Sequence, residues 1–273
     1  MDLELKSKAA LLVGAGRGIG GASAIALSRE GCKVALVARS ADDLAARVRE
    51  CLAAGAPEAH AIIADVTDKD QLGGAIERAA HTMGGLDILV TLVGGSQPGG
   101  AADTDDAGWD GAFAKNLWPA VRASRLALPH LQKSAERSRA AATSAGCSDS
   151  RIASVILHVT SIWGREGGGA ITYNAAKAAL ISLAHEQARE FAPRGVRVAS
   201  IAPGSVLHPG GSWEKRVAKD PQAMADFVKR EIPFGRFGTP EEIGEAICFL
   251  ASSRASWITG ACIVVDGGQS KSF

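Results

Sequence analysis

Seven short apolar runs recur along the chain, separated by stretches long enough to be helices: AALLV (9–13), KVALVA (33–38), HAIIA (60–64), DILVTLV (87–93), SVILHV (154–159), VRVASIA (196–202) and ACIVV (261–265). Runs of this length without in-and-out alternation belong to strands covered on both faces. Such strands arise where each is followed by a crossover helix that packs back onto the sheet. The alternation therefore predicts βα units, a parallel sheet and helices on both sides of it. No internal repeat interrupts the pattern. Its one compositional break is QKSAERSRAAATSAGCSDSR (132–151), polar and rich in Ser and Ala. It reads as an extended helix end followed by a mobile loop, at the N-terminal edge of strand 154–159. Ligands of open parallel sheets bind at the opposite, carboxyl edge.

Composition narrows the function classes. With 30 basic against 29 acidic residues the formal charge is +1, which argues against a nucleic-acid or other polyanion partner. The five cysteines (Cys32, Cys51, Cys147, Cys248, Cys262) are scattered and form no Cys-x-x-Cys pair, so neither a disulfide framework nor a metal site is expected. The opening MDLELKSKAALLVGAG places charges before an apolar run too short for a membrane span and unlike a signal peptide. A cytoplasmic location with no membrane partner is the expectation.

The first run leads into GAGRGIGG (14–21), where two glycine registers fit: Gly14, Gly18 and Gly20, or Gly16, Gly18 and Gly21. The first begins directly after the strand, where the tight turn is needed, and is preferred. Glycines there let the backbone approach a pyrophosphate, and the following helix offers its N-terminal amides and positive dipole. In dinucleotide folds an acidic residue about 20 positions on binds the free ribose hydroxyl of NAD. Here that place holds Arg39, in ALVARS. With Arg17 it makes a cationic clamp suited to the 2′-phosphate of NADP, so NADP(H) is expected over NAD(H). Far along the chain, TYNAAKAAL (172–180) carries the only tyrosine, Tyr173, four residues before Lys177. Residues four apart share a helix face. A lysine ammonium beside a phenol is expected to pull the phenol below its ordinary value, making it a proton donor and acceptor near neutrality.

Together VGAGRGIG, ADV (64–66), KNL (115–117), VTSIWG (159–164), YNAAK (173–177), IAPG (201–204) and ITGACIVVDGG (258–268) resemble, in order and over nearly the whole chain, the short-chain dehydrogenase/reductase family. The likeness is greatest to its 3-oxoacyl-carrier-protein reductase and cyclic alcohol dehydrogenase branch. The resemblance implies a single-domain Rossmann fold over residues 1–273, doubly wound with seven parallel strands. It also implies a nicotinamide cofactor and a catalytic group of Asn116, Ser161, Tyr173 and Lys177. In that group Tyr173 exchanges the proton and Ser161 holds the substrate oxygen. Lys177 tunes the phenol and binds the nicotinamide ribose, and Asn116 anchors a relay water. Asp65 and Val66 are expected to flank the adenine. Arg17, Ile19 and Gly94 would complete the cofactor cleft, and Pro203, Gly204 and Val206 would lie toward the nicotinamide. A homotetramer is also implied, one interface pairing the fourth helix, which carries Asn116, with the fifth, 170–191, the other the last strand and its preceding helix. The rival reading is a regulatory homologue that binds a dinucleotide without turnover.

The chain departs from the family pattern at Val13, where threonine is usual, and at Thr91-Leu92-Val93-Gly94, where Asn-Asn-Ala-Gly is usual. Ala199 stands for a strand asparagine and His208 for a threonine that contacts the cofactor carboxamide. The lost asparagines leave open how neighbouring strands are tied. His208 is read either as a substrate-side residue or as a loop residue before Pro209. Residues 205–232, with the helical centre WEKRVAKDPQAMADFVKR, are expected to form a lid over the nicotinamide. Val206, Leu207, Trp213, Met224 and Phe227, with Trp163, either line an apolar pocket for a ketone or secondary alcohol, or pack the lid against the body.

Overall fold

The computed structural model describes residues 2–96, 99–144 and 154–272. The chain begins as β1 (Ala9–Val13), α1 (Gly18–Arg29), β2 (Lys33–Ala38), α2 (Ala41–Ala54), β3 (Ala59–Ile63), α3 (Lys69–Met83) and β4 (Ile88–Thr91). It continues as α4 (Asp106–Asn116), α5 (Trp118–Ser144), β5 (Ser154–Val159), α6 (Ile171–Phe191) and β6 (Val196–Pro203). The end is α7 (Ser212–Lys219), α8 (Pro221–Glu231), α9 (Pro240–Ala251) and β7 (Cys262–Val265). All strand pairs are parallel, in the order β3-β2-β1-β4-β5-β6-β7. This is the doubly wound Rossmann arrangement. The chain builds outward from β1 to β3, then crosses back to lay β4 on the other side of β1. That reversal opens a crevice at the carboxyl ends of β1 and β4.

Side chains of each strand alternate between two apolar layers. Ala10 and Leu12 of β1, with Val34 and Leu36 of β2, join Leu27, Leu44, Ile243 and Ile247 under α1, α2 and α9. Leu11, Val13, Ala35 and Val37 join Leu72, Ile76, Leu131 and Phe191 under α3, α5 and α6. The central strands β1, β4, β5 and β6 are buried throughout, as their continuous apolar runs require. The two edge strands are not. β3 leaves Ile63 58% exposed and β7 is only half-buried along its length, because each has a neighbour on one side alone. The expectation of burial on both faces is corrected there.

Helix ends follow local chemistry. Ser40 caps α2 by accepting from Asp43 N, Asp68 caps α3 by accepting from Asp70 N and Gln71 N, and Thr239 with Glu242 forms a reciprocal capping box on α9. Residues 132–144 of the polar stretch continue α5, where Arg137 donates to Gly84 O just ahead of β4; the remaining 145–151 lie outside the described residues. Residues 212–231 form two helices, because Asp220 turns the chain and caps α8 through Ala223 N, and Pro221 cannot donate to a continuing helix.

Candidate active site

The chain leaves β1 through a turn that only glycine makes easily. Gly14 has φ +98° and Gly18 φ +55°, and a β-carbon on Gly20 would come within 2.8 Å of Ala15 Cα. These are the three glycines of the preferred register; Gly16 has no positive φ. Gly14 also abuts the chain leaving β4, where its β-carbon would sit 3.2 Å from Leu92 C and Val93 Cγ2. The loop thus lies in the crevice between β1 and β4. Arg17 precedes α1 without a side-chain cap, so the first amides of α1 and its dipole face out of the loop. A glycine cradle at an uncapped helix start fits a dinucleotide's diphosphate.

Arg17 and Arg39 are exposed, and neither has an ion-pair partner among the described residues. Ile19 packs against the core below the loop. Asp65 follows β3 and accepts from Thr67 N at 2.9 Å and Thr67 Oγ1 at 2.7 Å. Those bonds, with the more distant charge of Arg39, hold its carboxyl below the usual range. Because Asp68 caps α3, Asp65 is not a helix cap, and Val66 beside it is buried.

Past Val159 the chain reaches Ser161, 6% exposed, whose Oγ accepts from Trp163 N at 3.2 Å in the short 3-10 turn Ile162–Gly164. That turn packs directly on α6, since a β-carbon on Gly164 would meet Lys177 C at 2.7 Å. The close approach brings the Ser161 hydroxyl to the Tyr173 phenol, whose ionised form it favours. One turn along α6 lies Lys177, 3% exposed, its Nζ 5.7 Å from the Tyr173 ring centre. Nζ donates to Val159 O at 3.0 Å and Val93 O at 3.3 Å, bridging the ends of β5 and β4. Asn116 is the last residue of α4, where the chain breaks at Leu117 before α5 begins. Its Nδ2 donates to Ala112 O (2.9 Å) and Gly95 O (3.2 Å), and its Oδ1 accepts from Gly95 N (2.9 Å). Asn116 and Lys177 both converge on Gly94, whose β-carbon would lie 2.8 Å from Asn116 Oδ1 and 2.9 Å from Lys177 Nζ.

The electrostatics correct one expectation. Tyr173 is not pulled down: burial pushes its phenol above the ordinary value, and the neighbouring Ser161 hydroxyl opposes this only in part. Burial instead lowers Lys177 to about 8. Two of the ammonium's three hydrogens go to the Val93 and Val159 carbonyls, and the third makes no hydrogen bond to the phenol among the described residues.

The lid residues divide into separate groups. Trp213 is buried in a stack with Phe227 (4.9 Å between ring centres), Phe237 (5.2 Å) and Trp163 (6.2 Å), with the Arg216 guanidinium 4.8 Å from its ring. Trp163 in turn lies against Gly168 and Gly169. This is the lid-packing alternative. Leu207 and Met224 line an open groove of about 660 Å³ with Val217, Val228 and Phe237. Val206 borders a smaller cavity of about 110 Å³ with Gly204 and Asp266. Pro203 ends β6, and Gly204 is tight against the C-terminal turn, its β-carbon 2.7 Å from Asp266 Cβ. His208 is a loop residue directly before the turn at Pro209, and its ring rests on Gly18 of the glycine loop.

Two features escaped the sequence reading. Glu166 accepts from Lys271 N and Ser272 N, both at 2.9 Å, fastening the C-terminal tail to the loop after Ser161. His158 of β5 faces Thr91 of β4, with 2.7 Å between Nδ1 and Oγ1, and supplies the cross-strand tie that the absent asparagines left open. The signal was there, since each is the polar residue within an otherwise apolar run and the two runs are adjacent strands.

A profile of the family described as enoyl-(acyl carrier protein) reductase matches residues 14–270. The 2-(S)-hydroxypropyl-CoM dehydrogenase 3 of Xanthobacter autotrophicus is 35% identical over 272 residues, 98% of this chain and 99% of that protein. The 3-oxoacyl-acyl-carrier-protein reductase FabG of Thermotoga maritima is 30% identical over 268 residues, 97% and 99% of the two chains. Among solved structures, L-sorbose reductase from Gluconobacter frateurii, complexed with NADPH and L-sorbose, superposes with a TM-score of 0.88 at 26% identity, covering 100% of both chains.

Proposed function

Because the chain belongs to the short-chain dehydrogenase/reductase family and is thus an NAD(P)-dependent oxidoreductase acting on CH–OH and C=O groups, we propose that it prefers NADP and uses Tyr173 as its proton donor and acceptor. The observation that carries this reading is the convergence of Ser161 on the Tyr173 phenol beside the buried Lys177. Bound nicotinamide supplies or takes the hydride. The rest of the reaction falls to side chains. A phenol raised by burial stays protonated at neutral pH, so Tyr173 is ready to protonate a carbonyl oxygen during reduction. Ser161 donates to the same oxygen and holds it where negative charge develops. Lys177, fixed by Val93 O and Val159 O, places a positive charge beneath the phenol and stabilises the phenolate left after transfer. Asn116 holds the Gly95 peptide and, by family resemblance, a relay water that returns protons through Lys177.

For the cofactor, Gly14, Gly18 and Gly20 would hold the diphosphate, and Arg17 with Arg39 the 2′-phosphate. Asp65 and Val66 would flank the adenine, with Ile19 and Gly94 lining the cleft. Pro203, Gly204 and Val206 would border the nicotinamide. Residues 1–273 act as one domain, with 205–232 as the lid and 132–151 as a surface insertion. The substrate is a ketone or secondary alcohol. A homotetramer is supported by the half-buried Ala175, Ala179 and Leu183 on α6, and by Trp257, 98% exposed ahead of the half-buried β7.

The test is a panel of ketones and alcohols followed through nicotinamide absorbance with NADPH and NADH. Wild type should favour NADPH, and Arg39→Asp should reverse that preference by removing a phosphate partner and adding a carboxylate. Equal use of both cofactors by the wild type would contradict the NADP reading.

A further inference from the structure

Residues 266–272, which follow β7, touch three separate elements. The first is the start of the lid, where Gln269, 8% exposed, accepts from Ser205 N at 2.8 Å. The second is the end of the lid. There Phe234 N donates to Gly267 O at 3.3 Å, a β-carbon on Gly268 would meet Pro233 Cγ at 3.2 Å, and the Lys271 ammonium lies 3.5 Å from Glu231 Oε2. The third is Glu166, whose Oε2 accepts from both Lys271 N and Ser272 N. Asp266 folds the segment on itself by accepting from Gly268 N at 2.9 Å and Ser270 N at 2.6 Å. Residues 266–272 thus form a turn that ties both ends of the lid to the loop after Ser161.

That loop has little else to fix it. Glu166 is followed by Gly167, Gly168 and Gly169, and Gly168 has φ +144°, so its own backbone restrains it weakly before α6 begins. Trp163 lies over Gly168 and Gly169 and reaches Trp213 of the lid at 6.2 Å between ring centres. Loop and lid are therefore joined twice, once by this aromatic contact and once through Glu166. The aromatic contact can slide. The carboxylate, holding two successive amides, is directional and charge-assisted.

We propose that Glu166 is a positioning residue of the substrate pocket: by gripping Lys271 N and Ser272 N it fixes loop 167–169 against the lid, and so sets the space in which a ketone or alcohol meets Ser161 and Tyr173. The proposal rests on the reading that oxidoreduction takes place at those two residues, and not on the cofactor preference. Glu166 acts through backbone amides, so its loss is felt in substrate binding, while proton transfer and the cofactor cleft keep their own supports.

Steady-state reduction of a ketone, with parallel titration of the cofactor, compares wild type, Glu166→Ala and Glu166→Gln. Glu166→Ala should raise KM for the ketone roughly 10-fold, the lower end of what a hydrogen bond to a charged group contributes. Its kcat and cofactor affinity should stay within about threefold of wild type. Glu166→Gln keeps an oxygen that accepts both amides without the charge, and should bring KM back to within about threefold of wild type. A wild-type KM in Glu166→Ala overturns the proposal. So does a Gln variant as impaired as the Ala variant, which would show that the amide bonds are not what matters. A fall in kcat or cofactor affinity as large as the rise in KM overturns it as well, since that marks general loosening. Wild type that binds cofactor yet turns over no ketone or alcohol overturns the underlying reading of the site, an outcome distinct from the others.

Discussion

Acidification should destabilise this fold through one buried histidine. His158 has no exposed surface; its Nε2 is 3.0 Å from Gln187 Oε1 and its Nδ1 2.7 Å from Thr91 Oγ1. Gln187 Nε2 donates onward to Ser124 Oγ at 3.0 Å, and that hydroxyl donates to Ala120 O. The chain of donors has one consistent direction. An amide oxygen only accepts, so Nε2 carries the hydrogen and Nδ1 accepts from Thr91. A second proton has no acceptor unless the Thr91 hydroxyl turns away. Burial, opposed by the Gln187 hydrogen bond and reinforced by the Lys177 charge, lowers the imidazole to about 4. In the unfolded chain it titrates near 6.5. Between those values the unfolded state binds more protons, so stability falls as pH falls. The contribution is whole above the unfolded value and lost as pH drops through the folded one. The shift corresponds to about 3 kcal/mol. Urea unfolding at about pH 7 and about pH 4 should show wild type losing roughly that much more than His158→Asn, which cannot titrate there. Equal losses in the two proteins would refute the reasoning.

Other outcomes follow from the same geometry. Gly94→Ala places a methyl against Asn116 Oδ1 and Lys177 Nζ, so it should lower the unfolding free energy by about 1–3 kcal/mol and cut turnover, read by denaturant titration and steady-state rates. Since burial raises the Tyr173 phenol, alcohol oxidation, which needs the phenolate, should accelerate with rising pH, while carbonyl reduction is already supported at neutrality; an oxidation rate that falls with pH would oppose this. Light scattering after size exclusion should give four times the chain mass of 28.0 kDa, whereas a single-chain mass would remove the tetramer.

The apolar runs located every strand to within about two residues, because a strand covered by helices on both faces must be apolar along its whole length. The same logic overreached at β3 and β7, where the sequence looks alike but a neighbour is missing on one side. Ser161, Tyr173 and Lys177 were legible because strand ends and helix spacing are local properties. His208 was not, since its approach to Gly18 joins segments some 190 positions apart in the chain and depends on how the lid folds back. The His158 tie failed to register for a related reason: one polar residue in an apolar run acquires meaning only once strand register sets it opposite Thr91. The direction of the Tyr173 shift was misjudged because spacing reveals the neighbouring lysine but not the burial, which raises the phenol with only Ser161 opposing it.

The central claim is that the Tyr173 hydroxyl moves the proton, and replacing that one oxygen tests it most directly. Tyr173→Phe keeps the ring on α6 beside Lys177, so cofactor affinity measured by titration should stay within about threefold of wild type. Turnover of a ketone the wild type reduces should fall by roughly 10²- to 10⁴-fold, the usual contribution of a positioned general acid. Turnover close to wild type with intact cofactor binding would contradict the account.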